Sequence, residues 1–483
     1  MNKKAITILV LLAVLALPMA AMAATEFSLG GYVKMEVIWD STQVNKNLLA
    51  FINRNNDANF QHGRLKFTAE NTRMSFTVKG PKVFGAASTA YIEWDFDNHA
   101  NEYIMTGTPG GGWASPNKAR LGVRHAFFKL NWPETELLMG AYWSVLTEEV
   151  PETANFGACT TAGQPFLREP QIRLTQTAGI GGGKLTASLA LAAVENGLWG
   201  IGINQTQAAT NAYGGESTET PKVEGRIKYD IDLWGKAAFW GVPRPFSIRA
   251  GAAWWKERFR SFAATGAALG RRFGTGAGEN DRFMNVSVSQ RDQQYLDHWL
   301  VEGSVFIPLI PTHSANLAGT MSLLTQWWVG AGLDGYFEDF PNGSSYLNWV
   351  AGPAAARVGD RQLLQRYGGF IQLQYYFTNQ WYANAVWGIN RAMGVDRDRW
   401  MDAYTNAAAN NDPVKTNQHF YLALWYRPIQ ALKFGLEYTY VRTDYFQQAG
   451  ANVNAASGGV APTGTPTSLG ENHRVLFCGF LFF

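Results

Sequence analysis

The sequence predicts an all-β protein, a transmembrane antiparallel β-barrel of about sixteen strands, and three observations predict it. Apolar side chains recur at every second position in segments of about 9 to 11 residues, the length a tilted strand needs to cross a bilayer. Beyond residue 23 there is no second long apolar run, and mean hydropathy is slightly below zero although 14% of the residues are aromatic. Short and long connections alternate along the chain, as they do when one end of a barrel carries tight turns and the other long loops.

The N-terminal residues set the compartment. Lys3 and Lys4, the apolar run from Ala5 to Leu17 and the small-residue site Ala21-Met22-Ala23 read as a secretory signal over residues 1–23, cleaved near Ala23. That run is shorter than the roughly 20 residues of a spanning helix. Residues 24–483 then form one barrel, whose first strand begins too soon to leave room for a plug domain. Without Lys3 and Lys4 the chain has 39 basic and 38 acidic residues, a balance that gives no reason to expect a nucleic-acid partner. Cys159 and Cys478, the only two cysteines, lie far apart, so no disulfide framework is expected and both are read as unpaired.

The strands follow in order. In the first, Phe27, Leu29, Gly31, Val33, Met35, Val37 and Trp39 alternate with Ser28, Gly30, Tyr32, Lys34, Glu36, Ile38 and Asp40, one face for lipid and one for water. In the second, about 63–80, Arg64, Lys66 and Glu70 share one parity and Arg73, Ser75, Thr77 and Lys79 the other. A bulge near Asn71 restores a single polar face. Tight connections are read at 80–85, 132–135, 178–183, 378–380 and 427–431. Long ones are read at about 41–62, 98–119, 144–169, 195–221, 257–294, 332–362, 392–416 and 443–471. Eight loops and seven turns join sixteen strands. Among the later strands, Tyr367, Ile371, Leu373 and Tyr375 oppose Arg366, Gln372 and Gln374, and Phe434, Leu436, Tyr438 and Tyr440 oppose Lys433, Glu437 and Thr439. Trp39, Trp94, Trp143, Trp381 and Trp425 stand near strand ends and are expected in interfacial girdles.

Hydrogen bonding then requires closure. Lipid offers no partner to an open sheet edge, so the first and last strands must pair. Sixteen strands leave a water-filled lumen, whereas about eight would be filled by side chains. The last strand places Val475, Phe477, Gly479, Leu481 and Phe483 on one face, and an amphipathic strand ending in Phe resembles the closing strand of bacterial outer-membrane barrels.

A family resemblance sharpens this reading. The segments Gly30-Gly31-Tyr32-Val33-Lys34, Arg73 to Lys79, Tyr91-Ile92-Glu93-Trp94-Asp95-Phe96, Val123-Arg124-His125-Ala126-Phe127-Phe128 and Leu138-Met139-Gly140-Ala141-Tyr142-Trp143 resemble DcaP-like trimeric porins and, more loosely, general bacterial porins. The resemblance implies a homotrimeric diffusion channel in the bacterial outer membrane with its third long loop, 144–169, folded into the lumen as a constriction. That loop carries Glu148, Glu149, Glu152 and Glu169, while the inward faces of nearby strands carry Lys34, Arg64, Lys66, Arg73, Lys79, Arg120, Arg124 and Arg173. Acids facing bases across a narrow gap set up a transverse field, and Arg forks suit carboxylates, so a mild anion preference is expected.

The functional expectation is passive diffusion of small hydrophilic solutes. The alternative is a structural barrel that houses or docks a partner such as a periplasmic electron-transfer cytochrome. Nothing implies an enzyme, a cofactor or a metal. The seven His residues include no closely spaced pair, and His125, on the parity of Val123 and Phe127, is expected at an interface. The glycine runs 179–183 and 274–278 lack the Lys and Ser/Thr of a phosphate loop and read as turn and loop. The spacing of Asn53, Asn55, Asp57 and Asn59 lacks the Gly and distal Glu of a calcium loop.

Overall fold

A computed structural model describes residues 25–42, 44, 51–52, 62–96, 121–155, 161–194, 219–260, 262–263, 293–337, 339, 345–349, 358–393, 414–445 and 469–483. The signal read at 1–23, Arg120, Cys159, the Asn53 to Asn59 spacing and the 274–278 glycine run lie outside these residues. Sixteen wall strands follow in chain order: β1 (Glu26–Asp40), β2 (Arg64–Thr68 continued by Arg73–Lys79), β3 (Ala87–Asp95), β4 (Gly122–Asn131), β5 (Thr135–Trp143), β6 (Arg168–Ile180), β7 (Gly183–Ala192) and β8 (Lys222–Ile231), then β9 (Phe246–Arg260), β10 (Gln293–Ile310), β11 (Met321–Ala331), β12 (Gln365–Tyr376), β13 (Trp381–Met393), β14 (Val414–Ile429), β15 (Leu432–Tyr445) and β16 (Leu469–Phe482). Each pairs antiparallel with the next.

The sheet closes on itself. β1 pairs with β16 over Val33 with Leu481, Val37 with Phe477 and Trp39 with Val475. Phe483 and Gly31 exchange backbone hydrogen bonds of 3.2 Å in both directions. Val475, Phe477, Leu481 and Phe483 are exposed on the outer surface. On the inner side of the same seam Arg474 grips Asp40 through Nε at 2.7 Å and Nη2 at 3.0 Å, and Asp40 also accepts from Arg64 at 2.8 Å.

Burial is inverted relative to a water-soluble protein. Phe27, Leu29, Met35, Leu65, Phe67, Val123, Ile172, Leu174, Leu189, Ile227, Leu422 and Leu436 are exposed, whereas Lys34, Glu36, Asp40, Glu224, Glu302, Gln326, Glu437 and Arg474 are buried. An apolar belt of this extent is costly against water, at roughly 25 cal/mol per Å², and costs nothing against hydrocarbon. No helix among the described residues is long and apolar enough to cross a membrane; the strands cross it.

Bulges set which side chains point inward, among them one in β2 and one in β4. In β2, Thr68 opposes Glu36 and Arg73 opposes Tyr32, so five steps on β2 match four on β1. Asn71 fills the extra position and donates to Glu36 Oε2 at 2.6 Å. This bulge, expected from the parity change, puts Arg64, Lys66, Thr68 and Arg73 on one face. In β4 the register slips between Glu93 opposite His125 and Trp94 opposite Val123. Arg124 and His125 are therefore both buried inside, and His125 is not the interfacial residue its parity suggested.

The turn at 181–182 has φ of 59° and 80°, the positive pair that a two-residue hairpin demands, which Gly181 and Gly182 adopt freely. The β8–β9 connection is different. Its residues 232–245 fold back inside the barrel as a small hairpin of Ala237–Phe239 with Val242–Arg244.

Candidate pore constriction

The loop between β5 and β6 lies inside the barrel, and hydrogen bonds trace its path. At its start Ser144 Oγ donates to Glu224 at 2.9 Å and the Val145 amide does so at 3.1 Å. The loop then crosses to the far wall, where the Glu152 amide meets Gln372 Oε1 at 2.6 Å and the Ala154 and Asn155 amides meet Glu437 at 2.6 and 3.1 Å. There Lys34 Nζ donates to the Ala154 carbonyl at 2.7 Å. Further on, the Ala162 amide reaches His419 Nδ1 at 3.1 Å and Trp328 Nε1 reaches the Gly163 carbonyl at 2.5 Å. Gly163 has φ of 74°, and a Cβ there would stand 2.1 Å from the Ile389 carbonyl, so only glycine fits. The loop returns to the wall where the Ser144 amide donates to the Leu167 carbonyl at 2.9 Å.

Its acids do not face the early-strand bases across a gap. Glu148 pairs with Arg226 and, at 3.3 Å, with Lys228; Glu149 takes a bidentate grip from Arg244 at 2.7 and 2.8 Å. Glu152 accepts from Lys433 at 2.5 Å, Gln374 at 2.6 Å and Tyr382 at 2.7 Å. Glu169, on β6 rather than in the loop, pairs with Lys222. The expected basic wall is instead neutralised by its own neighbours. Lys34 pairs with Glu36 at 2.8 Å, Lys66 with Glu70 at 3.5 Å, Arg73 with Glu93 at 3.5 Å, and Arg124 with Glu93 and Asp95 at 2.8 and 2.7 Å. Lys79 sits at the short-turn end in an exposed pair with Glu26 at 3.0 Å, away from the constriction. A charge left alone in a confined lumen is costly, so each takes the nearest opposite charge. Which charge is nearest depends on cross-strand register and loop path, which a single strand's pattern does not contain.

The electrostatics of the loop follow. Burial opposes the charge on Glu149, but Arg244 outweighs it and holds the carboxyl down at about 2. Glu148 is likewise held below the usual carboxylate range, with Arg226 and Lys228 overcoming burial. Asp339, in the β11–β12 loop, accepts from the Gly163 amide at 3.3 Å and from Asn390 at 3.1 Å; burial pushes it up to about 6 against the pull of Arg366.

Several residues of this site were missed in the sequence. Lys222, Glu224, Arg226, Lys228 and Asp230 share one parity on β8, a charged ladder legible at period two but not recognised. Arg244 and Arg249 carried no local signal, and Lys433 and Glu437 were legible as polar-face residues of their strand but not as partners of the loop. Trp425, expected at the interface, is buried inside with the Lys433 ammonium 3.8 Å over its ring. Trp143 packs on Phe166 of the loop and on His125. Trp39 and Trp381 stand exposed on the outer surface.

The two sides of the lumen differ in what they leave open. Arg73, Lys129, Glu136, Lys228 and Asp230, on β2 to β8, keep between 15% and 26% of their side-chain surface. Gln326, Gln372, Asn384, Glu437 and Thr439, on β11 to β15, are covered almost completely. On the open side Arg173 stacks over Tyr142 at 4.9 Å and reaches Glu136 only at 4.0 Å. Arg226 is spent on Glu148, Val145 and Ser188, and Arg249, buried on β9, pairs with Glu302 at 2.9 Å.

A closed sixteen-strand barrel narrowed by an inward third loop has the fold of outer-membrane channels. Among solved structures, the outer membrane channel DcaP of Acinetobacter baumannii has this fold, with a TM-score of 0.59 at 14% identity over 96% of this chain and 99% of that one. An anion-selective porin from Comamonas acidovorans matches with a TM-score of 0.48 at 10% identity over 95% and 100%, and OprB of Pseudomonas putida with 0.47 at 9% over 95% and 94%. No protein-family model matches the sequence, and no curated protein matches it.

Proposed function

We propose that the protein is an outer-membrane porin, a water-filled channel for passive diffusion of small hydrophilic solutes with a mild preference for anions and carboxylates, and that it acts without catalysis. In this reading residues 1–23 are removed on export, the chain assembles as a homotrimer in outer-membrane lipid, and the long loops face outward from the cell. The observation that carries the preference is the row of basic side chains Arg73, Lys129, Arg173, Arg226 and Lys228, which keep 9% to 22% of their surface open on β2 to β8. A passing carboxylate is drawn to these cations, and a guanidinium fork can hold it in two places. Because the surrounding charges are nearly balanced, the preference is mild. The alternative of a sleeve around a folded partner is disfavoured by the lumen itself, which the β5–β6 loop and the β8–β9 hairpin already cross.

The test is the reversal potential of the purified protein in a planar bilayer under a salt gradient. The anion-selective sign is expected. A cation-selective sign removes the preference, and absence of conductance removes the channel.

A further inference from the structure

We propose that the β8–β9 hairpin is a second constriction element, which clamps the β5–β6 loop from the short-turn end and confines the passage to the β2 to β8 side of the lumen. The inference rests on the channel reading above and goes beyond it. Two observations carry it independently, the hairpin's placement and its backbone strain.

Placement comes first. β8 and β9 are already in register at Ile231 opposite Phe246, so a two-residue turn would join them, as it joins β6 to β7. The chain instead spends residues 232–245 on an inward excursion. Ala237 and Ala238 are buried, and Ala238 is fixed to the wall by hydrogen bonds with Thr320 at 3.4 Å and Ser322 at 2.9 Å. Lys236 exchanges backbone bonds of 2.9 and 2.7 Å with Thr312 of the neighbouring turn. Phe239 packs edge-on against Phe306 of β10 at 5.7 Å. The hairpin is thus braced on the same wall that the β5–β6 loop covers.

Two contacts then tie it to that loop. Trp240 Nε1 donates to the Val150 carbonyl at 3.0 Å, and Arg244 holds Glu149 with two parallel hydrogen bonds. The backbone at the tip is strained: Trp240 has φ of 53° and Gly241 78°. Glycine takes that conformation freely, but a bulky indole does not. A tryptophan kept where glycine or asparagine would relax the turn marks a position held by what its side chain reaches, here the loop. The hairpin and the loop, entering from opposite ends, meet at residues 149–150 and fill the β10 to β15 side of the lumen between them.

The test compares wild type with a variant in which residues 232–245 are replaced by Asn-Gly. Both are purified as folded barrels, judged by heat-modifiable gel mobility, and assayed by single-channel conductance and by liposome swelling with sugars of increasing size. The shortened variant is expected to conduct at least twofold more and to admit larger sugars. Trp240→Gly, which relaxes the turn and removes the tie to Val150 together with the ring beside Lys433, is expected to raise open-channel current noise at unchanged fold. Equal conductance and equal size limit in wild type and shortened variant overturn the inference and leave the channel reading standing. A silent wild type beside a conducting variant supports the hairpin as the closing element, and silence of both removes the channel reading and the inference with it. If the shortened chain fails to fold, current noise in Trp240→Gly indistinguishable from wild type overturns the inference.

Discussion

The two halves of the lumen solve the same electrostatic problem in different ways. Along β2 to β8 several ion pairs run between wall strands and stay partly open, as between Lys129 and Glu136 at 3.1 Å. Along β11 to β15 the wall's polar groups are consumed by backbone and carboxylates of the inward loop, as when Glu437 accepts from Ala154 and Asn155 and Lys433 meets Glu152. The first arrangement leaves charges partly open to the lumen. The second turns charges into anchors. One barrel therefore has an open side and a covered side.

The largest effect is expected where an anchor is broken. Lys433→Ala leaves Glu152 buried without its cation, and removing one partner of a buried pair costs about 3 kcal/mol. The urea midpoint of the folded barrel in lipid vesicles should fall accordingly, and channel noise should rise as the loop loosens. An unchanged midpoint would show that Tyr382 and Gln374 suffice to hold Glu152.

Acid breaks a second anchor. The carboxyl of Glu149 lies lower in the folded protein than in the unfolded chain, so its contribution to stability is present above about pH 4.5 and is lost as pH falls toward 2. Conductance recorded from pH 5 down to pH 2 should become noisier at the acid end in wild type. In Glu149→Gln the same noise should already be present at neutral pH, and a flat wild-type profile would remove Glu149 as an anchor.

On the open side the proposed anion preference predicts changes in the reversal potential rather than in stability. Arg173→Ala should move the reversal potential toward zero while single-channel conductance stays within about twofold, because one cation leaves the wall of the path. Retention of full anion selectivity would place the preference elsewhere. The smallest effect belongs to Lys129→Ala, whose pair with Glu136 is partly exposed. Its loss should cost less than about 1 kcal/mol in the same urea assay, and a cost equal to that of Lys433→Ala would erase the distinction between the two sides.

What the sequence determined by itself is the barrel. Lipid on one face and water on the other impose a period of two that can be read strand by strand, from Phe27 alternating with Lys34 and Glu36 to Lys433 opposing Phe434. The parity change near Asn71 made even a bulge legible, and the closing strand was marked by its own alternation. Tertiary structure alone decided the constriction. Glu152 and Lys433 are 281 positions apart and Lys34 and Ala154 are 120 apart, so no local pattern joins them. His125 turned inward because a register slip at Arg124 cancelled its parity, and Trp425 did so because its strand face looks into the barrel at Lys433. Side-chain period is a property of one strand and its solvent. Charge pairing, loop path and the inward hairpin depend on register around the closed sheet, and that register exists only once the sheet has closed.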